Sequence, residues 1–282
     1  MMELTPSTYY YRPKVPRVLR DQIEAELRDK IEHLQAEYSC FGHRTLKAQL
    51  QRHYGLVVNR KRLLRVMRVH NLFRQVKKRF IATTDSNHSY PIYPNLLKGL
   101  EVTGINQVWV SDITYIRVLT GFVYLAVILD LFSRRVIGWA LSKSIRHELT
   151  VAALRMAIEA RNPGTGVIHH SDRGVQYACD DYVALLDANG FQGSMSAPGN
   201  PYDNAFAESF MKTLKNEEVH LCEYESFSDV VERIPQFIEA VYNQKRVHSG
   251  IQYLPPAEFE AILQDEKRKG SLGQVTLKLA EY

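Results

Sequence analysis

VWVSDITYI, residues 108–116, reads as a β-strand of aromatic and β-branched residues broken by one carboxylate, Asp112. Aspartate is depleted in strands because it packs and pairs poorly there. A carboxylate set among Trp109, Val110, Ile113, Tyr115 and Ile116 therefore needs a cation, a donor or a metal. Outward from this strand, Gly121–Leu129 reads as a second strand, joined to the first by a short turn at Leu119–Gly121 as a hairpin, and Arg135–Leu141 as a third. His147–Ala160 has helical spacing, with Leu149, Ala153, Met156 and Ala157 on one side, and Asn162–Pro163–Gly164 ends it. Val167–His170 is a short strand running into Ser171–Asp172, and Asp180–Asn189 is a helix closed by Gly190. Gly193–Ala197 is a strand, followed by a Pro198–Pro201 loop. A helix capped by Asp203 or Asn204 runs to Glu217, and another covers Ser228–Tyr242. Three strands followed by alternating helix and strand specify an α/β mixed sheet flanked by helices.

The chain before this region has a different composition. Between Tyr38 and Thr84 there is no acidic residue, while Arg44, Lys47, Arg52, Arg60, Lys61, Arg62, Arg65, Arg68, Arg74, Lys77, Lys78 and Arg79 are basic. The formal net charge of the whole chain is only +5, so the remainder is net acidic. Such asymmetry is the footprint of a polyanion-binding module joined to something else. Ile23, Leu27, Ile31 and Leu34 form one stripe of a helix over residues 20–38, and Thr45–Tyr54 is a second helix ended by Gly55. Asn59 caps a third, Arg60–His70, with Leu63, Leu64 and Met67 on its apolar side and arginines around them. Helix, short turn, arginine-rich helix is the helix-turn-helix pattern. A three-helix bundle with a solvated basic face is the plainer alternative, but such faces usually mix signs. Thr, Ser, Asn, Pro and Gly punctuate residues 81–105 as a linker. The expected organisation is a helical DNA-binding domain at 1–80, a linker at 81–105, the α/β core at 106–262 and a tail at 263–282.

Composition excludes several classes. A hydrophobic fraction of 45% over 282 residues is enough for a real core and too high for a disordered chain. No stretch approaches the roughly 18 apolar residues of a membrane span. Met1–Arg12 has no apolar segment of the signal-peptide kind. Cys40, Cys179 and Cys222 are far apart and form no CxxC pair, so neither disulfides nor zinc are indicated and a reducing cytoplasm is expected.

Asp172 lies where a buried strand runs out, the usual place for ligand groups in an open α/β sheet. Glu208 sits in the first turns of a helix whose Ala205, Phe206, Ala207 and Phe210 are expected to face the core. If Asp112, Asp172 and Glu208 converge, their shared charge requires a cation. Asp130 is expected to hold the turn toward Ser133 and Arg134. His169 and His170 are adjacent on a strand and point to opposite faces, so they do not share a metal. Lys212 either meets DNA phosphate with Lys215 or is solvated.

WVSDITYI around Asp112, HSDRGVQY around Asp172 and DNAFAESFMKTLKNE around Glu208 resemble the catalytic core of bacterial insertion-sequence transposases of the retroviral integrase superfamily. Thirty-five residues separate Asp172 from Glu208, the spacing of the D,D(35)E group. LDLFSRRVIGW, residues 129–139, and YNQKRVHSGI near the end also fit, and the basic region resembles the helix-turn-helix of the second-frame product, OrfB. The resemblance implies a ribonuclease H-like fold with a five-stranded mixed sheet. It implies two Mg²⁺ ions, for which Mn²⁺ substitutes, held by Asp112, Asp172 and Glu208 as the catalytic residues. It implies DNA contact by Lys215, seven residues after Glu208, with Lys212 beside it. Arg44, Lys47, Arg60, Lys61, Arg62, Arg65 and Arg68 are the further DNA contacts expected of the basic module. The implied partners are insertion-sequence ends and target DNA, further copies of the chain, and an upstream-frame protein or its fusion to this chain. Because the sequence starts where the second frame does, weak end binding by these residues alone is expected. A nuclease of the same fold would share the carboxylates without needing the basic module. A DNA-binding regulator with a decayed core would not keep all three carboxylates, and a glycosidase explains neither the basic module nor Lys215.

Overall fold

A computed structural model describes residues 16–37, 41–73, 92–197, 204–269 and 277–278. The chain divides into two compact units, Met1–Gln75 and Val76–Tyr282. Among the described residues the first holds α1 (Arg17–Glu37), α2 (His43–Tyr54) and α3 (Arg60–Val69). Leu27, Ile31 and Leu34 of α1, Leu46 and Leu50 of α2, and Leu63, Val66 and Met67 of α3 are buried. The expected stripe thus shifts slightly: Ile23 is 39% exposed, and Val66 rather than Leu64 completes the inner face of α3. Gly55 ends α2 in the left-handed conformation at φ 62°, which costs glycine nothing. Asn59 caps α3, its side-chain oxygen accepting from the Lys61 N–H at 2.8 Å.

In the second unit the elements are β1 (Glu101–Val102), β2 (Val108–Val118), β3 (Gly121–Asp130), β4 (Val136–Ser142), α4 (His147–Arg161), β5 (Ile168–Ser171), α5 (Val175–Ala178), α6 (Asp180–Ala188) and β6 (Gln192–Met195). Then follow α7 (Ala205–Leu214), which widens into a π-helical turn at Lys215–Val219, and α8 (Phe227–Gln236), which does the same at Phe237–Asn243. The last elements are α9 (Pro256–Lys269) and β7 (Leu277–Lys278). The main sheet has the order β4-β3-β2-β5-β6. β2, β3 and β4 form an antiparallel meander, while β5 runs parallel to β2 and β6 parallel to β5. Sequential hairpins first and helical crossovers afterwards produce this mixed sheet, the ribonuclease H-like arrangement that the sequence implies. Helix α9, the short α5 and the β1–β7 pair are elements that sequence periodicity missed.

The alternation of side chains along β2 builds two cores. Val108, Val110, Ile116 and Val118 pack with Ala207, Phe210 and Leu214 of α7 and Val230 and Ile234 of α8. Trp109 and Ile113 pack on the other face with Leu149, Ala153 and Leu154 of α4 and Tyr182 of α6. Residues 92–102, expected as linker, lie against this unit. Leu97 and Val102 are buried in its core, and the Leu96 N–H donates to Ser194 Oγ at 2.9 Å.

Two local features hold the layers together. Gly138 of β4 lies so close to α4 that a Cβ there would meet the Ala153 carbonyl oxygen at 2.4 Å and Ala157 Cβ at 2.7 Å. Glu260 of α9, its side chain only 2% exposed, accepts from Arg135 at 2.7 Å and from Arg161 at 3.0 Å. Burial alone would raise the Glu260 pKa, yet the guanidiniums of Arg161 and Arg135 hold it below 4.5.

Gly138→Ala is expected to lower stability by about 1–3 kcal/mol through overpacking, read as a fall in thermal midpoint. Glu260→Gln leaves buried guanidinium charge uncompensated and is expected to cost about 3–5 kcal/mol. A carboxyl whose folded pKa is depressed stabilises above its unfolded value and loses that contribution as pH falls through the folded value. Wild type is therefore expected to lose Glu260's contribution below about pH 4.5, and denaturant unfolding of the Gln variant is expected to lack that part of the acid sensitivity.

Candidate active site

Asp112 lies on the central strand β2, in step with Val110 and Ile116 and so on the face covered by α7. Asp172 follows directly on β5, the parallel neighbour of β2, and its Oδ1 accepts the Gly174 N–H at 2.9 Å. Glu208 is on α7. The Asp112 carboxyl is raised from 3.8 to about 8, first by burial, then by the charge of Asp172 and more weakly by that of Glu208. The Ile113 N–H, donating to Asp112 Oδ1 at 2.9 Å, and the ammonium of Lys215 act in the opposite direction. Residues from three elements thus act on one partly buried carboxylate. Glu208 is exposed, and burial raises its own pKa above 4.5. Among the described residues, no three His, Cys, Asp or Glu side chains stand together closely enough to hold a metal ion. The donor chemistry nonetheless fits a hard divalent ion: carboxylate oxygens, with a partly buried aspartate that faces a like charge.

Lys215 closes one side. Its ammonium lies 4.6 Å from the centre of the Tyr115 ring, and Tyr115 in turn meets Phe122 edge-on at 5.4 Å. Burial lowers the Lys215 pKa below 10.5, and Asp112 partly offsets this. Lys212 is exposed on the same helix.

Asn204 corrects its sequence reading as a helix cap. It stands at the N-cap position of α7 but makes no capping hydrogen bond. Instead its Nδ2 donates to the backbone carbonyl of Ser111 at 3.1 Å, tying the start of α7 to β2 one residue before Asp112. Asp203, the other cap candidate, falls outside the described residues. On α7, Ala207 and Phe210 are buried as expected, but Ala205 is exposed and Phe206 only partly buried. Tyr177 carried no sequence signal of its own. Its hydroxyl is buried, and burial followed by the charge of Asp172 pushes its pKa well above the ordinary value.

Other residues take structural places. Asp130 accepts N–H bonds from Asn106 at 2.6 Å, Phe132 at 3.0 Å and Ser133 at 2.9 Å, which makes it the organiser of the β3–β4 turn. His169 Nε2 pairs with the Tyr182 hydroxyl at 2.9 Å, and burial holds its pKa at about 3. His170 meets Ser194 Oγ at 2.8 Å and Ser196 Oγ at 3.1 Å, so neither histidine approaches the carboxylates as a ligand.

In the first unit, Arg44, Lys47, Arg60, Lys61 and Arg68 are exposed and Arg62 is partly buried. Arg65 forms an ion pair with Glu24 of α1, which offsets part of its charge. Arg60 Nε donates to His43 Nε2 at 3.1 Å, and burial together with Arg60 and Arg44 keeps that imidazole's pKa low.

Comparison with known proteins shows the family of the chain. Residues 103–201 and 189–256 match families described as Integrase core domain, and residues 22–80 match the HTH-like domain. The Insertion element IS600 uncharacterized 31 kDa protein of Shigella sonnei is 39% identical over 83% of this chain and 86% of its own length. The Transposase for insertion sequence element IS904 of Lactococcus lactis is 34% identical over 86% of this chain and 97% of its own length. Transposase InsF for insertion sequence IS3A of Escherichia coli is 39% identical over 73% of this chain and 72% of its own length. Among solved structures, the HTLV-2 integrase catalytic core domain in complex with magnesium (trimeric form) aligns at 17% identity and a TM-score of 0.41, covering 58% of this chain and 98% of that one. With an HTH-like domain before an integrase core, and relatives of this identity over most of their length, the chain belongs to the insertion-sequence transposases, DDE-type polynucleotidyl transferases.

Proposed function

We propose that the chain cleaves DNA at the ends of its insertion sequence and joins the freed 3′-OH to target DNA, with Asp112, Asp172 and Glu208 as the catalytic carboxylates. The observation that carries this reading is Asp112, partly buried on the central strand under the charges of Asp172, Glu208 and Lys215. Water attacks the phosphodiester at the element end and releases a 3′-OH. That 3′-OH then attacks a target phosphodiester and displaces a target 3′-oxygen. Bond number is conserved in the joining step, so no external energy source and no covalent protein–DNA link are required.

Asp112, Asp172 and Glu208 would together hold two divalent ions, Mg²⁺ or in its place Mn²⁺. When bound, the ions supply activation of the attacking oxygen and stabilisation of the leaving one. Asp172 is held in place by the Gly174 N–H, while Glu208 reaches the site from the helix that Asn204 tethers to β2. Lys215, braced on Tyr115, binds a phosphate beside the carboxylates, and exposed Lys212 is placed to add a second, weaker contact.

Residues 1–80 would form the DNA-binding domain, 81–105 the linker, 106–262 the catalytic core and 263–282 the tail. Support for the first comes from the exposed Arg44, Lys47, Arg60, Lys61 and Arg68, with Arg62 and Arg65 flanking them. Several copies would act together, since two DNA ends must be held at once, and an upstream-frame protein or its fusion to this chain would complete end recognition. No helix among the described residues is long and apolar enough to cross a membrane, and a cytoplasmic site at the nucleoid fits the DNA substrate.

With a labelled oligonucleotide copy of the element end, a target duplex and Mg²⁺, joined products are expected from the wild type; cleavage without joining would make the protein a nuclease. Asp112→Asn, Asp172→Asn and Glu208→Gln are each expected to reduce joining by about a hundredfold or more while leaving duplex binding intact. Full activity in any one variant would remove that residue from the site. Asn204→Ala is expected to slow joining severalfold and to cost about 1 kcal/mol of stability through its lost hydrogen bond. An Asn204→Ala protein that joins ends at the wild-type rate would assign the tether to folding alone.

A further inference from the structure

Arg134, within the SRRVIG segment between β3 and β4, presents a guanidinium that no carboxylate among the described residues pairs with. Its carbon lies 3.7 Å from the centre of the Phe206 ring, on α7 two residues before Glu208. On another side its Nη2 and Nε lie 3.8 and 3.9 Å from where a Cβ at Gly250 would stand. The backbone of Arg134 is left-handed at φ 64°, and its N–H donates to the Asp130 carbonyl at 2.9 Å. The side chain is therefore aimed and held, yet it remains partly exposed.

The described charges around it leave this cation without an ion pair. Arg246, the neighbouring guanidinium, is neutralised by a bidentate pair with Glu217, both bonds at 2.8 Å. Burial and the two arginines hold His248 neutral, with a pKa of about 2. Asp130 is the carboxylate acting on Arg134, but its oxygens are taken up by the N–H groups of Asn106, Phe132 and Ser133. Among the described residues no carboxylate forms an ion pair with Arg134. Burial without such a partner lowers its pKa to about 10, the response of a cation partly stripped of water. A guanidinium stacked by one face keeps its N–H edge free, and that edge fits the paired oxygens of a phosphate.

We propose that Arg134 is a phosphate-binding residue that grips a backbone phosphate of DNA beside α7. The proposal rests on the transposase reading only in that DNA supplies the phosphate. It gives Phe206 a role as well, as the platform that keeps the guanidinium extended.

The test is binding of the full chain to a random-sequence duplex across a salt series, without divalent ion so that no joining occurs. Loss of one phosphate contact lowers the slope of log affinity against log salt by about 0.9. Arg134→Gln is expected to show that drop and weaker binding. Arg134→Lys is expected to keep the slope but bind severalfold more weakly, because an ammonium cannot offer the bidentate edge. Phe206→Leu, which keeps the charge and removes the platform, is expected to resemble the Lys variant. If Arg134→Gln fails to fold, the Lys and Leu variants still decide. Unchanged affinity and slope in the variants that fold would overturn the proposal and leave Arg134 as a packing partner of Phe206. Because binding is read apart from joining, a chain that showed the slope change but joined no ends would keep Arg134 and remove only the proposed chemistry.

Discussion

Asp112 is a carboxylate on the central strand of a sheet covered on both faces, and the strongest charge acting on it is another carboxylate, Asp172. Both are only partly exposed, and the shared site favours a proton or a cation over two bare charges. Much of the second unit is arranged around this constraint. The parallel pairing of β2 with β5 brings Asp172 to it, and α7 lies over the same face of β2 with Glu208 and Lys215 on its outer turns. A stability argument alone would place a valine at residue 112; the aspartate there is destabilising unless something positive is brought to it.

The surrounding structure is built to hold that site without relaxing. Asn204 couples α7 to the backbone next to Asp112, so the helix carrying Glu208 does not move independently of the strand carrying Asp112. Below the sheet, Asp130 fastens the β3–β4 turn through three backbone N–H groups, and Glu260 locks α9 to Arg135 and Arg161. Asp130 accepts three backbone N–H groups and Glu260 two guanidiniums, whereas the strongest charge acting on Asp112 is another carboxylate.

The order of strands and helices was legible because aromatic and β-branched apolar runs mark β2 and β3, helical spacing marks α4 and α7, and Gly and Asn mark ends such as Gly121 and Asn162. Asp112 and Asp172 were legible as charges where packing disfavours them. The rest was hidden for physical reasons. Asn204 has the composition of a cap but donates across to β2, a contact between residues 93 positions apart that no local pattern encodes. Helix α9 carries mixed charge with few apolar positions, so its periodicity is weak, and its anchor is the buried Glu260, a residue type expected at the surface. Residues 92–102 have the Pro and Asn content of a linker, while the burial of Leu97 and Val102 depends on a surface elsewhere in the chain.

The central claim is that Asp112, Asp172 and Glu208 bind divalent ion in common. Anomalous diffraction from crystals of the full chain bound to an element-end duplex and soaked in Mn²⁺ tests it directly. A manganese peak coordinated by oxygens of Asp112 and of at least one of Asp172 and Glu208 is the expected result. Manganese bound elsewhere at saturation, with Asp112 lacking any metal contact, would contradict it.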